Sequence, residues 1–364
     1  MVDTRRNYFS ELGNAGLVGF VRDNFVPGLE GKTVVKLSDR DPEAEFFWSD
    51  IFIIDETYLV KEILSPVMNE NLAYVDAKGL VLEHMASSGV PVIIPVKGLN
   101  GKPYAQVQAV SSDDPHLVEV APYLASAERF SETVPQIADL GDAVGRITRA
   151  FLSLPQDVSD VISARKSIFQ GYDSPESRTF DEELDFYDRE QDKIPGWLGD
   201  EVRATLPAVR REYERIKASP TFPVPEYDIP KGLVHGDIHH FNTMFDKDTK
   251  TLLKVIDWDS MAESVRVRDL ALSMERFAIT LPDRKVSHVD RAEIFYQSFS
   301  KHYQCSPEEE AHMFDALVDY YMPNSCGILR DIFFKDFKHP NYPIYLAVLN
   351  PQRIRNLEKD LFGK

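Results

Sequence analysis

Two short, mostly apolar runs that are each followed within three positions by a carboxylate constrain the fold of this chain more than any other feature of its sequence. The first run, Leu233–Val234, continues into His235–Asn242, which reads HGDIHHFN. The second run, Leu252–Ile256, continues into Asp257–Asp259, which reads DWD. A short apolar strand followed by a turn brings the next polar side chains to the strand end. The two runs, in this order and at this separation, therefore predict two strands whose ends carry polar side chains with a role in binding or catalysis.

The spacing of these polar residues fits phosphoryl transfer. That reaction needs a carboxylate beside the attacking hydroxyl and oxygen ligands that hold Mg²⁺ on the phosphates. Asp237 and Asn242 have four residues between them, as the base and the metal-binding Asn have in the kinase catalytic loop. Asp257 follows a strand-like run, where a second, metal-chelating Asp is required. Mg²⁺ prefers such hard oxygen ligands.

The periodicity of apolar residues changes near Pro122. Before it, short strand-like runs surround one main helix, which the pattern predicts at Asn71–Ser87. After it, most of the chain has helical spacing. The sequence thus predicts an α+β fold with two lobes, a small antiparallel β-rich lobe at residues 1–122 and a larger, mostly helical lobe at residues 123–364.

The charge balance narrows the class of partner. The chain has 41 basic and 59 acidic residues, a net charge of −18. This argues against a nucleic-acid partner, because phosphate binding needs clustered Lys and Arg. It fits either a cationic substrate or a surface that is acidic only for solubility. The polar start of the chain and the lack of an 18-residue apolar stretch predict no membrane partner and a cytoplasmic location.

Together these motifs resemble the aminoglycoside phosphotransferase-like superfamily, whose fold is protein-kinase-like. The resemblance rests on His235–Asp237 followed four residues later by Asn242, on Ile256–Asp259, and on Asp269–Ala271 at the start of a helix. The turn Leu37–Glu43, which lacks the usual glycines, is closest to the homoserine and hydroxylysine kinase branch. The likeness spans about residues 7–274.

The resemblance implies roles for the residues after the strand-like runs. Asp237 would be the catalytic base, and Asn242 and Asp257 would be the magnesium ligands. His235 and Asp269 would brace the catalytic loop.

The resemblance also implies a nucleotide site in the first lobe. Lys61, on the strand-like run Tyr58–Ile63, would bind the α- and β-phosphates of ATP. Ser38, or alternatively Arg40, would bind nucleotide phosphate from the turn that replaces the glycine-rich loop, although turn formation explains this stretch equally well. The backbone of a hinge-like segment would bind adenine, with Glu119 and Ala121 as the contact positions.

One charged partner departs from the family pattern. In much of the superfamily the main helix supplies a Glu to the phosphate-binding lysine, but here the aligned position holds Lys78. Glu70, Asp76 and Glu83 are the acidic candidates, of which we favour Asp76. The role of Asp259 stays open between assisting the metal and orienting the substrate.

We expect a kinase that uses ATP and Mg²⁺ to phosphorylate the hydroxyl of a small molecule. The acceptor classes are an amino alcohol, a hydroxy-amino acid or an aminoglycoside-like compound. One alternative is a kinase-like binding module without catalysis. The other is a metal-dependent hydrolase that uses the side chains of His235, Asp237, His239 and His240.

Overall fold

The computed structural model of the chain describes residues 8–31, 33–40, 49–63, 71–108, 115–130, 133–164, 180–190, 196–217, 229–279, 287–318 and 351–362. Two units interleave along the sequence. The first unit is Met1–Ser131, Ser153–Arg165 and Phe241–Asp259, and the second is Glu132–Leu152, Lys166–His240 and Ser260–Lys364. The predicted division into residues 1–122 and 123–364 stays a prediction.

The described elements follow one another in the order α1 (Tyr8–Asn24), β1 (Val34–Lys36), α2 (Leu37–Arg40), β2 (Ser49–Ile54), β3 (Tyr58–Ile63), α3 (Leu72–Ser87), β4 (Ala105–Gln108), β5 (Pro115–Pro122), β6 (Ala127–Glu128), α4 (Val134–Phe151), α5 (Gln156–Ser163), α6 (Phe180–Glu190), α7 (Gly196–Lys217), β7 (Lys231–Val234), β8 (Thr243–Asp246), β9 (Leu252–Val255), β10 (Ala262–Val265), α8 (Val267–Met274), α9 (His288–Phe299), α10 (residues 307–318) and α11 (Pro351–Phe362). A π-helical turn, Glu275–Ile279, extends α8.

The first unit is built on an antiparallel sheet of strand order β1-β2-β3-β5-β4. Strand β3 lies in the middle, and its register sets Lys61 level with Ile51 on β2 and with Glu119 on β5. Apolar and β-branched residues dominate these strands, as a pleated and half-buried surface favours. The central position of β3 holds Lys61 on backbone that is paired along both edges.

The turn between β2 and β3 fixes this register. Asp55 and Glu56 have φ values of 50° and 54°, in the left-handed region that a tight two-strand turn requires. The Asp55 carboxylate accepts a hydrogen bond of 2.7 Å from the backbone N–H of Thr33, at the approach to β1. Because a slip of one residue would turn every side chain to the other face, this turn decides which way Lys61 points.

Helix α1 covers one face of the sheet. Phe9 and Val21 are buried with Phe52, Val60 and other apolar side chains of the strands, and the rings of Phe9 and Phe52 meet edge to face at 5.8 Å. Side chains alternate along a strand, so the neighbours of Val60 face the opposite way. The face that carries Lys61 is therefore the one that α1 leaves uncovered.

Helix α3 begins and ends at residues of the expected types. The Asn71 side chain caps its N-terminus by accepting a hydrogen bond of 3.1 Å from the Tyr74 N–H. Gly89, with φ of 78°, lies just beyond its C-terminus. Its buried side chains include Tyr74, Val81 and, unusually for a charged residue, Lys78.

In the second unit, α4 packs closely against α9. A Cβ at Gly141 would overlap the backbone carbonyl of Phe295, and one at Gly145 would overlap that of Phe299. The two glycines, four residues apart, lie on one face of α4 and let the helix backbones approach. Their hydrogen side chains therefore set the spacing of this helix pair.

Most of the predicted elements form. The structure adds β6, β10 and α5, which the sequence did not predict. Leu37–Arg40, predicted as part of a turn, is instead the short helix α2. None of the helices in the described ranges is both long enough and apolar enough to cross a membrane.

We expect Gly145→Ala to lower the free energy of unfolding by about 1–3 kcal/mol, because the added methyl group overpacks the contact between α4 and α9. Gly19→Ala is the matched control, since its nearest neighbour outside the local backbone would be the Arg22 guanidinium at 3.6 Å. It should raise the free energy by up to about 1 kcal/mol through helix propensity. Denaturant unfolding measures both, and equal effects would contradict the packing described.

Candidate active site

Lys61 lies at the centre of a group of charged side chains in the first unit. Its ammonium donates a hydrogen bond of 2.6 Å to Asp259 Oδ2 and one of 3.2 Å to Asp257 Oδ1. Burial by itself would lower the pKa of Lys61, but the charges of Asp257, Asp259 and Glu119 outweigh it and raise the pKa above its ordinary value. Lys61 is therefore a permanent cation at neutral pH.

The two aspartates follow β9 in a tightly held turn. The Ile256 N–H donates to the carbonyl of Asn242 at 2.9 Å, and the Trp258 indole N–H donates to the carbonyl of Val255 at 3.1 Å. Between them, Asp257 has a φ of 62°, a left-handed backbone that is uncommon outside glycine. Such backbone conformations persist where surrounding contacts enforce them and are concentrated at functional sites.

Asp259 bridges two lysines. While Oδ2 accepts from Lys61, Oδ1 accepts a hydrogen bond of 2.7 Å from Lys78 on α3. Burial would raise the pKa of Asp259, yet the charges of both lysines hold it well below its ordinary value. The Tyr74 hydroxyl donates to the backbone carbonyl of Asp259 at 3.1 Å and fixes the turn from the other side.

Lys78 also pairs with a strand of the sheet. Its ammonium lies 2.6 Å from Glu119 Oε1 on β5, and its side chain is only 4% exposed. Burial would lower the pKa of Lys78, but the charges of Asp259 and Glu119 raise it instead. The side chain of Glu119 thus belongs to this charged group, a contact that the sequence did not predict.

The prediction that an acidic residue of the main helix, with Asp76 favoured, pairs with Lys61 is wrong. Asp76 pairs with Lys102 at 2.6 Å, and Glu83 pairs with Lys97 at 2.6 Å. Glu70 lies outside the described residues. Lys61 takes its acidic partners from the turn after β9, and the helix contributes a cation to the group in place of an acid.

The predicted nucleotide contacts Ser38 and Ala121 lie on the sheet and its margin. Ser38 is half-buried in α2, directly after β1. Ala121 is level with Leu59 in the pairing of β5 with β3. The neighbouring carbonyl of Val120 accepts a 2.7 Å hydrogen bond from the Val96 N–H, which holds this segment in place.

In the second unit, the loop after β7 carries Asp237. The Asp269 carboxylate, in the first turn of α8, accepts hydrogen bonds from the N–H groups of His235 at 2.6 Å and Gly236 at 2.9 Å. Burial raises the pKa of Asp269 despite these donors and the charge of His235. Gly236 has a φ of 84°, and a Cβ there would lie 2.6 Å from the carbonyl of Ser260, so only glycine fits.

Asp237 itself lies beside an imidazole. His239 Nε2 is 3.4 Å from Asp237 Oδ2. Burial would raise the pKa of Asp237, but the neighbouring His239, His235 and Arg276 lower it below its ordinary value. Asp237 is accordingly a carboxylate at neutral pH, the form that can accept a proton.

The histidine side chains named for the alternative metal site lie on the loop after β7. The rings of His239 and His240 are 5.7 Å apart and strongly tilted against each other, at 62°. Within the described part of the chain, no group of three or more His, Cys, Asp or Glu side chains is arranged to hold a metal ion.

With this geometry in view, comparison with known proteins decides the family. The sequence model of the Phosphotransferase enzyme family matches residues 57–301, which include the charged group and both polar loops. The chain belongs to this family. None of the curated proteins compared with it matches its sequence.

Solved structures show the same fold at low sequence identity. The chain is similar to amicoumacin kinase hAmiN in complex with AMP-PNP, Ca²⁺ and Ami, at 13% identity and a TM-score of 0.62, over 96% of this chain and 95% of that one. It is similar to spectinomycin phosphotransferase APH(9)-Ia in complex with ADP and spectinomycin, at 15% identity and a TM-score of 0.64, over 95% of this chain and 98% of that one. It is also similar to a microcompartment-associated aminopropanol kinase, at 14% identity and a TM-score of 0.57, over 96% of this chain and 99% of that one.

These comparisons confirm the predicted superfamily, the two-lobed protein-kinase-like α+β fold, and the enzyme class of a phosphotransferase. The homoserine and hydroxylysine kinase branch stays a prediction. So do the roles of Asp237, Asn242, Asp257 and Lys61.

Two members of the charged group were missed by sequence reasoning. Lys78 shares the helical face of Tyr74 and Val81, so its spacing signalled a buried lysine. Asp259 was given two open roles, assisting the metal or orienting the substrate, and nothing in the local sequence indicated that it would bridge two lysines.

We expect Asp259→Asn to lower the free energy of unfolding by about 3–5 kcal/mol at neutral pH, because it leaves two lysines short of a charge partner. A lowered pKa means that the carboxylate stabilises the fold above its unfolded pKa and loses this effect as the pH falls through the folded pKa. The difference between wild type and variant should therefore narrow below about pH 4.

Denaturant unfolding between pH 7 and pH 2 measures this difference. Asp76→Asn, which removes a carboxylate from the half-exposed pair with Lys102, is the control and should change the free energy by less than about 1 kcal/mol. A pH-independent difference for Asp259→Asn would contradict the charge pairing.

Proposed function

We propose that this protein is a small-molecule kinase that transfers the γ-phosphoryl group of ATP to a hydroxyl of its substrate. The observation that carries the proposal is the contact of Lys61 with Asp257. Although 196 positions apart in sequence, the two residues supply a permanent cation and a carboxylate at one place. A phosphate-binding lysine beside a metal-binding aspartate is the arrangement that phosphoryl transfer requires.

The donor set suits Mg²⁺. Asp257 offers carboxylate oxygens, and Asn242, which is buried at the end of the Asp237 loop, offers an amide oxygen. Mg²⁺ is commonly held by one or two protein oxygens together with substrate phosphates, and needs no cage of protein ligands. Asp257 and Asn242 would hold the ion, which supplies charge neutralisation on the phosphates when bound.

The remaining roles follow from charge. The ammonium of Lys61 would hold the α- and β-phosphates and leave its contact with Asp257 to do so. Ser38 and the backbone of Glu119 and Ala121 would bind the rest of the nucleotide. Asp237, kept ionised by its neighbours, would orient the substrate hydroxyl and accept its proton as the oxygen–phosphorus bond forms.

For the acceptor we propose an alcohol that also carries an amine: an amino alcohol or hydroxy-amino acid first, an aminoglycoside-like compound second. The net charge of −18 favours the approach of a cation. A structurally similar protein is an aminopropanol kinase by name, and aminopropanol is an amino alcohol. ADP release in a panel of amines, hydroxy-amino acids and aminoglycosides tests this class.

We expect Asp237→Asn to reduce kcat by about 10²–10⁴-fold with little change in thermal stability, because the amide cannot accept the proton. Asp257→Asn should reduce turnover at least as far and weaken the dependence on Mg²⁺. Asp248→Asn, in the exposed turn between β8 and β9, is the carboxylate control and should retain wild-type turnover. Transfer at the wild-type rate in either of the first two variants would remove the mechanism.

The same assay distinguishes the proposed enzyme from a kinase-like binding module without catalysis. Such a module would gain thermal stability from ATP and Mg²⁺ but release no ADP with any acceptor. The proposed enzyme gives both responses, and ADP release depends on the acceptor.

A further inference from the structure

Lys78 is a buried cation that the roles above leave unused. It projects from α3 into the charged group, where its ammonium contacts Asp259 Oδ1 at 2.7 Å and Glu119 Oε1 at 2.6 Å. A lysine buried to this degree is retained only if it is paired on all sides. Its two partners come from the turn after β9 and from β5, so one ammonium ties three elements together.

The sign of the charge on α3 is the reverse of that in protein kinases. There the helix supplies a Glu that pairs directly with the phosphate-binding lysine of the strand. Here two ammonium groups, on Lys61 and Lys78, share three carboxylates, on Glu119, Asp257 and Asp259. The helix acts on Lys61 through an intervening carboxylate, since Asp259 accepts from both lysines.

We propose that Lys78 is a positioning residue for phosphoryl transfer, which holds the Asp259 carboxylate in the orientation that aims the Lys61 ammonium at the nucleotide phosphates. This inference rests on the proposed function. Lys78 and Glu119 keep Asp259 in place, and Asp259 keeps Lys61 in place when Asp257 turns from Lys61 to the metal. The pair Asp259–Lys78 thus replaces the acidic residue that α3 lacks.

Removing Lys78 has two separable effects. The group loses one positive charge, which leaves Asp259 and Glu119 undercompensated and repels the triphosphate. It also frees Asp259 to rotate, so that Lys61 is no longer aimed. Neutralising Glu119 or Asp259 in addition restores the charge balance, but neither change restores the contact between Lys78 and Asp259 that aims Lys61.

Four variants separate these effects: Lys78→Met, Lys78→Met with Glu119→Gln, Lys78→Met with Asp259→Asn, and Lys102→Met. The last removes a lysine that pairs with α3 on its exposed side and is the control. The measurements are the thermal midpoint of the ligand-free protein, the affinity for an ATP analogue with Mg²⁺ by calorimetric titration, and the KM for ATP and kcat in the ADP-release assay.

We expect Lys78→Met to lower the thermal midpoint, because Asp259 and Glu119 lose a charge partner. It should weaken nucleotide binding about tenfold or more, because Lys61 is no longer aimed at the phosphates. Both double variants should regain thermal midpoint. Neither double variant should regain nucleotide affinity, because both lack the Lys78 contact that orients Asp259, and both should stay about tenfold weak. Lys102→Met should match wild type in nucleotide affinity.

Recovery of wild-type nucleotide affinity in either double variant would overturn the inference, because Lys78 would then only balance charge. Wild-type affinity and KM in Lys78→Met would overturn it as well. If Lys78→Met fails to fold, the nucleotide affinity of the charge-balanced double variant with Glu119→Gln still decides. A wild-type protein that neither binds ATP nor releases ADP rejects the proposed function itself, and that outcome is distinct from a failure confined to the variants.

Discussion

The carboxylate of Asp259 holds the charged side chains of the first unit together. It accepts hydrogen bonds from Lys61 on the sheet and from Lys78 on α3, and it lies in the turn after β9. Glu119 on β5 completes the group. Buried ion pairs of this kind add little net stability, but breaking one partner is costly, so they favour a single arrangement. Four elements far apart in sequence are thereby held to one geometry.

The second unit positions its candidate base by a different means. The loop after β7 is fixed through its backbone, because the Asp269 carboxylate accepts from the N–H groups of His235 and Gly236. Gly236 has the positive φ and the close approach that this loop demands. Asp237 is left to interact through its own side chain, whose charge His239 favours. In the first unit, therefore, charged side chains hold one another in place. In the second unit, the Asp269 carboxylate holds the loop of Asp237 through backbone N–H groups.

The sequence predicted those parts of the molecule that short-range patterns specify. Strand β3 has the predicted bounds Tyr58–Ile63, because its alternation and the flanking turn are local signals. Asp76 was a wrong choice for a reason visible in helical geometry: it is two residues from both Tyr74 and Lys78, hence on the other side of α3. The bridging role of Asp259 could not be read, since it depends on which distant cations the fold brings to it.

Lys61 and Asp257 are in contact in the structure, and the proposed function requires them to separate so that Lys61 binds phosphate and Asp257 binds the metal. The most direct test is a crystal structure with a non-hydrolysable ATP analogue and Mn²⁺ in place of Mg²⁺, with the metal located by its anomalous scattering. We expect Mn²⁺ to be bound by Asp257 and Asn242, Lys61 to contact the phosphates, and Asp259 to remain in contact with Lys78. A metal bound elsewhere, with Lys61 still paired to Asp257, would contradict this expectation.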